Sequence, residues 1–97
     1  MAAYFVFNYR VTDLEGYKPY LGVVPAILES HGAEILAADF ESEAVEGDPG
    51  HVTVILKFPS KEAARKWYDS PEYQEIIGLR TDNSEGIGAL ASAAGDG

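Results

Sequence analysis

The sequence contains no cysteine. That excludes disulfide bridges, a thiolate nucleophile and any zinc site built on Cys ligands, and it fits a reducing, cytoplasmic setting. Positive charge is scarce: 7 Lys and Arg stand against 16 Asp and Glu, a formal net charge of -9. Phosphate backbones and anionic lipid both require clustered Lys and Arg, so neither nucleic acid nor a membrane surface is expected as a partner. No apolar stretch approaches the roughly 18 residues of a membrane span. The opening "MAAYFVFNYR" has no basic leader and is interrupted at Asn8 and Arg10, so it reads as a strand rather than a signal peptide. The two histidines, His31 and His51, show no metal-ligand spacing, and no phosphate loop, dinucleotide fingerprint or nucleophile motif is present. No cofactor and no metal are therefore expected. The acidic run through Asp39, Glu41, Glu43, Glu46 and Asp48 lacks the spacing of a calcium loop and reads as a solvated surface.

What remains fits a single domain over residues 1–97, with 46% hydrophobic and 24% charged residues. Tyr4 to Val11 is aromatic and β-branched, the composition of a strand. Its alternation gives one face of Phe5, Phe7, Tyr9 and Val11, and another of Tyr4, Val6, Asn8 and Arg10. Asp13 stands where a helix cap belongs. Tyr17, Tyr20, Leu21, Val24, Ile27, Leu28 and His31 follow at helical spacing, with a kink expected at Pro25 and a stop at Gly32. Glu34 to Glu41 reads as a second strand, "VEGDPGH" as the turn of a hairpin, and His51 to Phe58 as a third strand. Ser60 caps the next helix, and Ser70-Pro71 ends it and restarts another. A last strand is expected near Gly86 to Ala91, weak because Gly and Ala have low strand propensity, with the last few residues frayed.

The order β-α-β-β-α-β implies an α+β, ferredoxin-like fold: a four-stranded antiparallel sheet with the helices on one face. The apolar faces of the first and third strands belong under the helices. The opposite face, with Tyr4, Val6, Thr53 and Ile55, would lie bare in a monomer, so a homodimer packed sheet to sheet is expected. The segments "YRVTDLEGYKPY", "VEGD" and above all "FPSKEAARKWYDSPEYQEIIGLR" resemble the DUF1330 family, a domain of unknown function within the dimeric α+β barrel superfamily. The sequence departs from the family's usual aromatic-Gly-Gly after the first helix, reading "SHGAE", and from its Val-rich last strand. The resemblance implies the same fold and dimer but no reaction. Its superfamily includes antibiotic-biosynthesis-type monooxygenases, muconolactone-isomerase-like enzymes and ligand-binding members, and fold does not fix function.

Five residues are singled out as candidate ligand contacts. Asn8 and Arg10 fall on the face expected to be covered, where an unpaired charge is costly; Arg10 and Lys57 there must reach the strand ends, pair with Glu34 or Asp39, or hold an anion. Tyr68 and Tyr73 carry hydroxyls that can line a cleft between helix and sheet, whereas Trp67 reads as packing. Arg80 ends the long motif and can clamp a carboxylate. No catalytic residue is assigned, although Tyr9, Asp13 and Tyr73 have side chains fit for proton transfer. The expected function is binding of a small acidic or carbonyl metabolite beside the sheet. The alternatives are a cofactor-independent isomerase or monooxygenase-like enzyme and a purely structural dimerisation module.

Overall fold

The computed structural model describes residues 1–95. The elements run β1 (Ala3–Val11), α1 (Leu14–Ser30), β2 (Glu34–Asp39), β3 (Val52–Phe58), α2 (Lys61–Tyr68), α3 (Pro71–Ile76), α4 (Gly78–Thr81) and β4 (Ser84–Ser92). All strands are antiparallel in the order β2-β3-β1-β4, the expected α+β arrangement. Local chemistry sets the helix starts. The Asp13 carboxylate accepts from the Gly16 N–H at 3.3 Å, and Ser60 and Ser70 hydroxyls cap α2 and α3 through Ala63 and Tyr73. α1 runs through both Pro19 and Pro25, the site of the expected kink, as one element. Both prolines lie on its exposed side, where water can serve the carbonyls they leave free.

The alternation of β1 separates the two faces of the sheet. Phe5, Phe7 and Tyr9 are buried under the helices together with Val52, Leu56 and Phe58 of β3. From α1 comes the stripe Tyr17, Tyr20, Val24 and Leu28, and α2 and α3 add Ala64, Trp67 and Tyr73. Trp67 is the centre of this layer, fully buried with its ring centroid 4.2 Å from that of Tyr73. Two expected elements differ in extent. β2 ends at Asp39, and residues 40–51 form a longer connection than a tight hairpin. β4 is longer than its composition suggests and pairs along the whole of β1, from Ala3 opposite Ser92 to Val11 opposite Ser84. Pairing to a central strand overrides weak intrinsic propensity. The fraying expected of the last few residues falls in part on 96–97, which lie outside the described residues.

Asn8 anchors the return of the long connection. Its Oδ1 accepts from Gly50 N–H at 2.7 Å, while Nδ2 donates to the Gly50 and Val52 carbonyls and to Thr53 Oγ1 at 3.0–3.2 Å. Gly50 has to be glycine, because a Cβ there would overlap the Tyr9 carbonyl. Replacing Asn8 by Ala strands these groups in a half-buried place, at about 1–3 kcal/mol. Asn8→Ala is therefore expected to unfold at a temperature lower by several degrees in calorimetry; an unchanged midpoint would show the clamp to be dispensable.

Candidate functional site

A cavity of about 200 Å³ lies between α1 and the sheet. It exists because α1 covers β1 and β3 but leaves the edge strand β2 open. Leu21 (40% exposed), Ile35 (51%) and Phe40 (42%) form an apolar mouth instead of packing shut. The walls are Phe7, Val24, Leu28, Val54 and Leu56, and the polar atoms come from Tyr9, Tyr17, Tyr20, Trp67 and Arg80. The volume is below the 300–1,000 Å³ common for drug-sized ligands.

The polar end has a definite construction. Tyr9 on β1 and Tyr17 on α1 bring their hydroxyls to 2.6 Å, and Tyr20, one turn further along α1, meets the Tyr73 hydroxyl at 2.7 Å. Each pair uses one hydrogen between its oxygens and has a second left over as a donor. Burial, then the hydrogen bond with Tyr17, pushes the Tyr9 phenol far above its ordinary pKa. Burial, then the neighbouring Tyr73, does the same to Tyr20. Tyr17 is raised by burial against the opposing pull of its bond with Tyr9. At physiological pH these three are neutral donors and poor bases.

Arg80 adds a cation. Its guanidinium carbon stands 4.9 Å from the Phe7 ring centre and 5.7 Å from that of Tyr9. Burial lowers its pKa, but the Tyr73 and Tyr20 phenols outweigh that and hold it above the ordinary value. Among the described residues Arg80 forms no ion pair, and its buried Nε has no hydrogen-bond partner. The fully buried Trp67 indole N–H is likewise unpartnered. No carboxylate and no histidine is among the lining residues. The polar groups of the lining are thus phenol hydroxyls, an indole N–H and a guanidinium, with one positive charge and no negative one among them.

The structure brings together only part of the expected set. Tyr73 and Arg80 meet at this end of the cavity, Tyr73 through its bond to Tyr20. Tyr68 is half-buried on the other side of Phe5 and does not line the cavity. Asn8 and Arg10 lie on the opposite face of the sheet. Asn8 is fully engaged in the clamp described above, and Arg10 pairs with Asp48 at 3.3 Å and donates to the Pro49 carbonyl. Its partner is therefore Asp48, rather than the expected Glu34 or Asp39; Glu34 stands opposite Lys57 in the β2–β3 register. Asp13 caps α1 at the surface, His31 lies 3.7 Å from Glu72, and His51 is exposed. Tyr17 and Tyr20 were absent from the expected site. Phenols on an otherwise apolar helix stripe need partners once buried, and that was the signal for them.

The layered helix-on-sheet architecture, with a small cavity under its first helix, is a ferredoxin-like α+β fold. Residues 2–93 match the family described as a domain of unknown function (DUF1330), and the chain belongs to that family. No curated protein matches it in sequence. Solved structures share its fold. A protein of unknown function from Rhodopseudomonas palustris is 17% identical with a TM-score of 0.70, covering 91% of this chain and 80% of that one. SnoaB, a cofactor-independent oxygenase from Streptomyces nogalater, is 13% identical with a TM-score of 0.70, covering 97% and 94%. A de novo designed protein, Foldit4, is 17% identical with a TM-score of 0.63, covering 96% and 99%. An oxygenase and a designed protein in the same fold show that architecture alone assigns no activity.

The raised tyrosines have a pH signature. Above their unfolded pKa of 10.0, the phenols of the unfolded chain ionise while Tyr9 and Tyr20 remain protonated in the fold. The unfolded state then binds fewer protons, so stability falls as pH rises, by about 1.4 kcal/mol per pH unit for each such tyrosine. Thermal unfolding is expected to be level from about pH 7 to 9 and to fall steeply above about 10. Tyr20→Phe should flatten that slope; equal slopes in the variant and the parent would contradict the assignment.

Proposed function

We propose that this protein binds a small, largely apolar molecule bearing one anionic oxygen, a carboxylate or an enolate-like group, in the cavity between α1 and the sheet. The observation that carries this reading is Arg80: a half-buried cation without an ion pair among the described residues, at the end of a cavity whose other polar groups are neutral hydroxyls and an indole N–H. The phenols of Tyr73 and Tyr20 support the charge but leave the Arg80 Nε without a hydrogen-bond partner, and an anionic ligand would supply one. The apolar mouth at Leu21, Ile35 and Phe40 would receive the body of the molecule. Charge-assisted hydrogen bonds of this kind are worth about 1.5–3 kcal/mol each. In a thermal-shift screen, small aromatic or branched aliphatic acids are expected to raise the unfolding temperature. In Arg80→Met that shift is expected to disappear, corresponding to affinity lower by about tenfold or more, while the unliganded protein stays about as stable as before. A screen in which no acid moves the parent, or in which Arg80→Met responds equally, would defeat the reading.

The second reading is catalysis without a cofactor, of the isomerase or oxygenase kind. Converging donors around Arg80 are what stabilisation of a developing oxyanion requires, and SnoaB carries cofactor-independent oxygenase chemistry on a similar fold. The lining supplies no carboxylate or histidine base, so binding remains the preferred function.

The reading includes a homodimer and a cytoplasmic setting. All helices lie on one side of the sheet, and the other side presents Tyr4, Val6 and Ile55 beside Ile87, with Val6 37% and Ile87 71% exposed. Opposite charges stand across from each other on that face: Glu34 against Lys57 and Arg10 against Glu85. A second copy would cover the apolar centre. Multi-angle light scattering at micromolar concentration is expected to give twice the chain mass of 10.5 kDa, and Val6→Glu with Ile87→Glu is expected to give single chains. A monomeric parent would rule the dimer out.

A further inference from the structure

Two buried side-chain nitrogens have no hydrogen-bond partner among the described residues, Arg80 Nε and Trp67 Nε1. An anionic oxygen answers the first and leaves the second open. Trp67 is held by α2 at 0% exposure, and it borders the α1 cavity. The rings of Phe5, Phe7 and Phe58 packed around it offer no oxygen to accept its hydrogen. Its nearest ring is that of Tyr73, whose hydroxyl is paired with that of Tyr20. A buried N–H left unpaired is costly, and folded interiors seldom keep one. Both anchors meet the same ring. The Arg80 guanidinium carbon stands 4.9 Å from the centre of Phe7, and the Trp67 ring meets Phe7 edge-on at 6.5 Å, so the two lie within the span of a short-chain acid. Their surroundings differ. Arg80 is half-buried and also borders a second cavity of about 260 Å³ under α2 and α4, floored by Gly86 and Gly88 of β4. Trp67 does not line that space. A charged oxygen therefore belongs at Arg80, whereas the fully buried indole accommodates only a neutral one without a large desolvation penalty.

We propose that the ligand of the α1 cavity is an oxo acid, whose carboxylate lies at Arg80 while a ketone oxygen on its chain accepts a hydrogen bond from the Trp67 indole. The assignment rests on the reading of Arg80 as the anchor of an anionic ligand and adds a second, neutral contact to it. A ketone oxygen has lone pairs and no hydrogen, so it matches a group that can only donate. The contact also discriminates. The same acid without its ketone fills the cavity but leaves the buried N–H bare.

Matched acids that differ by one ketone oxygen test this at two spacings: α-ketoisocaproate with isocaproate, and levulinate with valerate. In isothermal titration of the whole chain, at least one keto acid is expected to bind about tenfold tighter than its plain counterpart. Trp67 is the only tryptophan, so its indole N–H gives one signal in a proton–nitrogen correlation spectrum. That signal is expected to move downfield with the tighter keto acid and to stay in place with the plain one. In Trp67→Phe the two acids of the pair are expected to bind alike. The spectrum of the parent keeps the test decisive even where that core substitution lowers stability. The proposal is overturned if plain and keto acids bind alike in both pairs, or if the tighter keto acid leaves the indole signal unmoved. Plain acids that bind, and lose their affinity in Arg80→Met, would then leave the reading of Arg80 standing. If none of these acids binds, the oxo-acid assignment falls together with that reading.

Discussion

Strand β1 is hydrogen-bonded on both sides, to β3 and to β4, and the pleat of that one strand dictates nearly everything else. Its residues must point alternately to opposite faces. Phe5, Phe7 and Tyr9 consequently form a column beneath the helices, while Tyr4, Val6, Asn8 and Arg10 form another on the uncovered side. The first column supplies the aromatic floor of both cavities and the ring on which Arg80 rests. The second supplies the clamp on the long β2–β3 connection through Asn8. A one-residue slip in this strand would exchange the two sets and remove core and site together.

The polar groups within the core follow a similar economy. A buried phenol needs a partner, and here four tyrosines satisfy one another in two pairs. Such pairs cannot be complete, since two hydroxyls carry two hydrogens and need only one between them. The surplus hydrogens, the Trp67 indole and the Arg80 guanidinium give the α1 cavity an excess of donors and one positive charge. An interior of hydrocarbon rings thereby acquires electrostatic preference with no buried carboxylate among the described residues.

Much of this was legible in the residues. The alternation of "YFVFNYRV" and "VTVILKF" defined the two faces of the sheet, and the caps Asp13, Ser60 and Ser70 marked where helices begin. The long segment ending in Arg80 pointed to the family. The site was only half legible. Tyr73 and Arg80 stood out, but Asn8 and Arg10 shared a strand with the inner residues and face away from them, a distinction that alternation stated and the search for an anion anchor overrode. Tyr17 and Tyr20 read simply as apolar stripe, because helical spacing shows burial and not what a hydroxyl meets there. β4 was underestimated because Gly and Ala have no preference of their own; they owe their conformation to the neighbouring strand. Their small size has a purpose visible only in three dimensions, since it leaves room above the sheet.

Trp67 has a consequence of another kind. It is the only tryptophan beside six tyrosines, it is fully buried, and it borders the α1 cavity with its indole N–H unpartnered. Its ring lies within 6.5 Å of those of Phe5, Phe7, Phe58, Tyr68 and Tyr73. The molecule thus contains a single indole fluorophore at the boundary between core and cavity, excited by tyrosine neighbours and sensitive to whatever accepts its hydrogen. Occupancy of the cavity is therefore open to optical reading in the unlabelled protein.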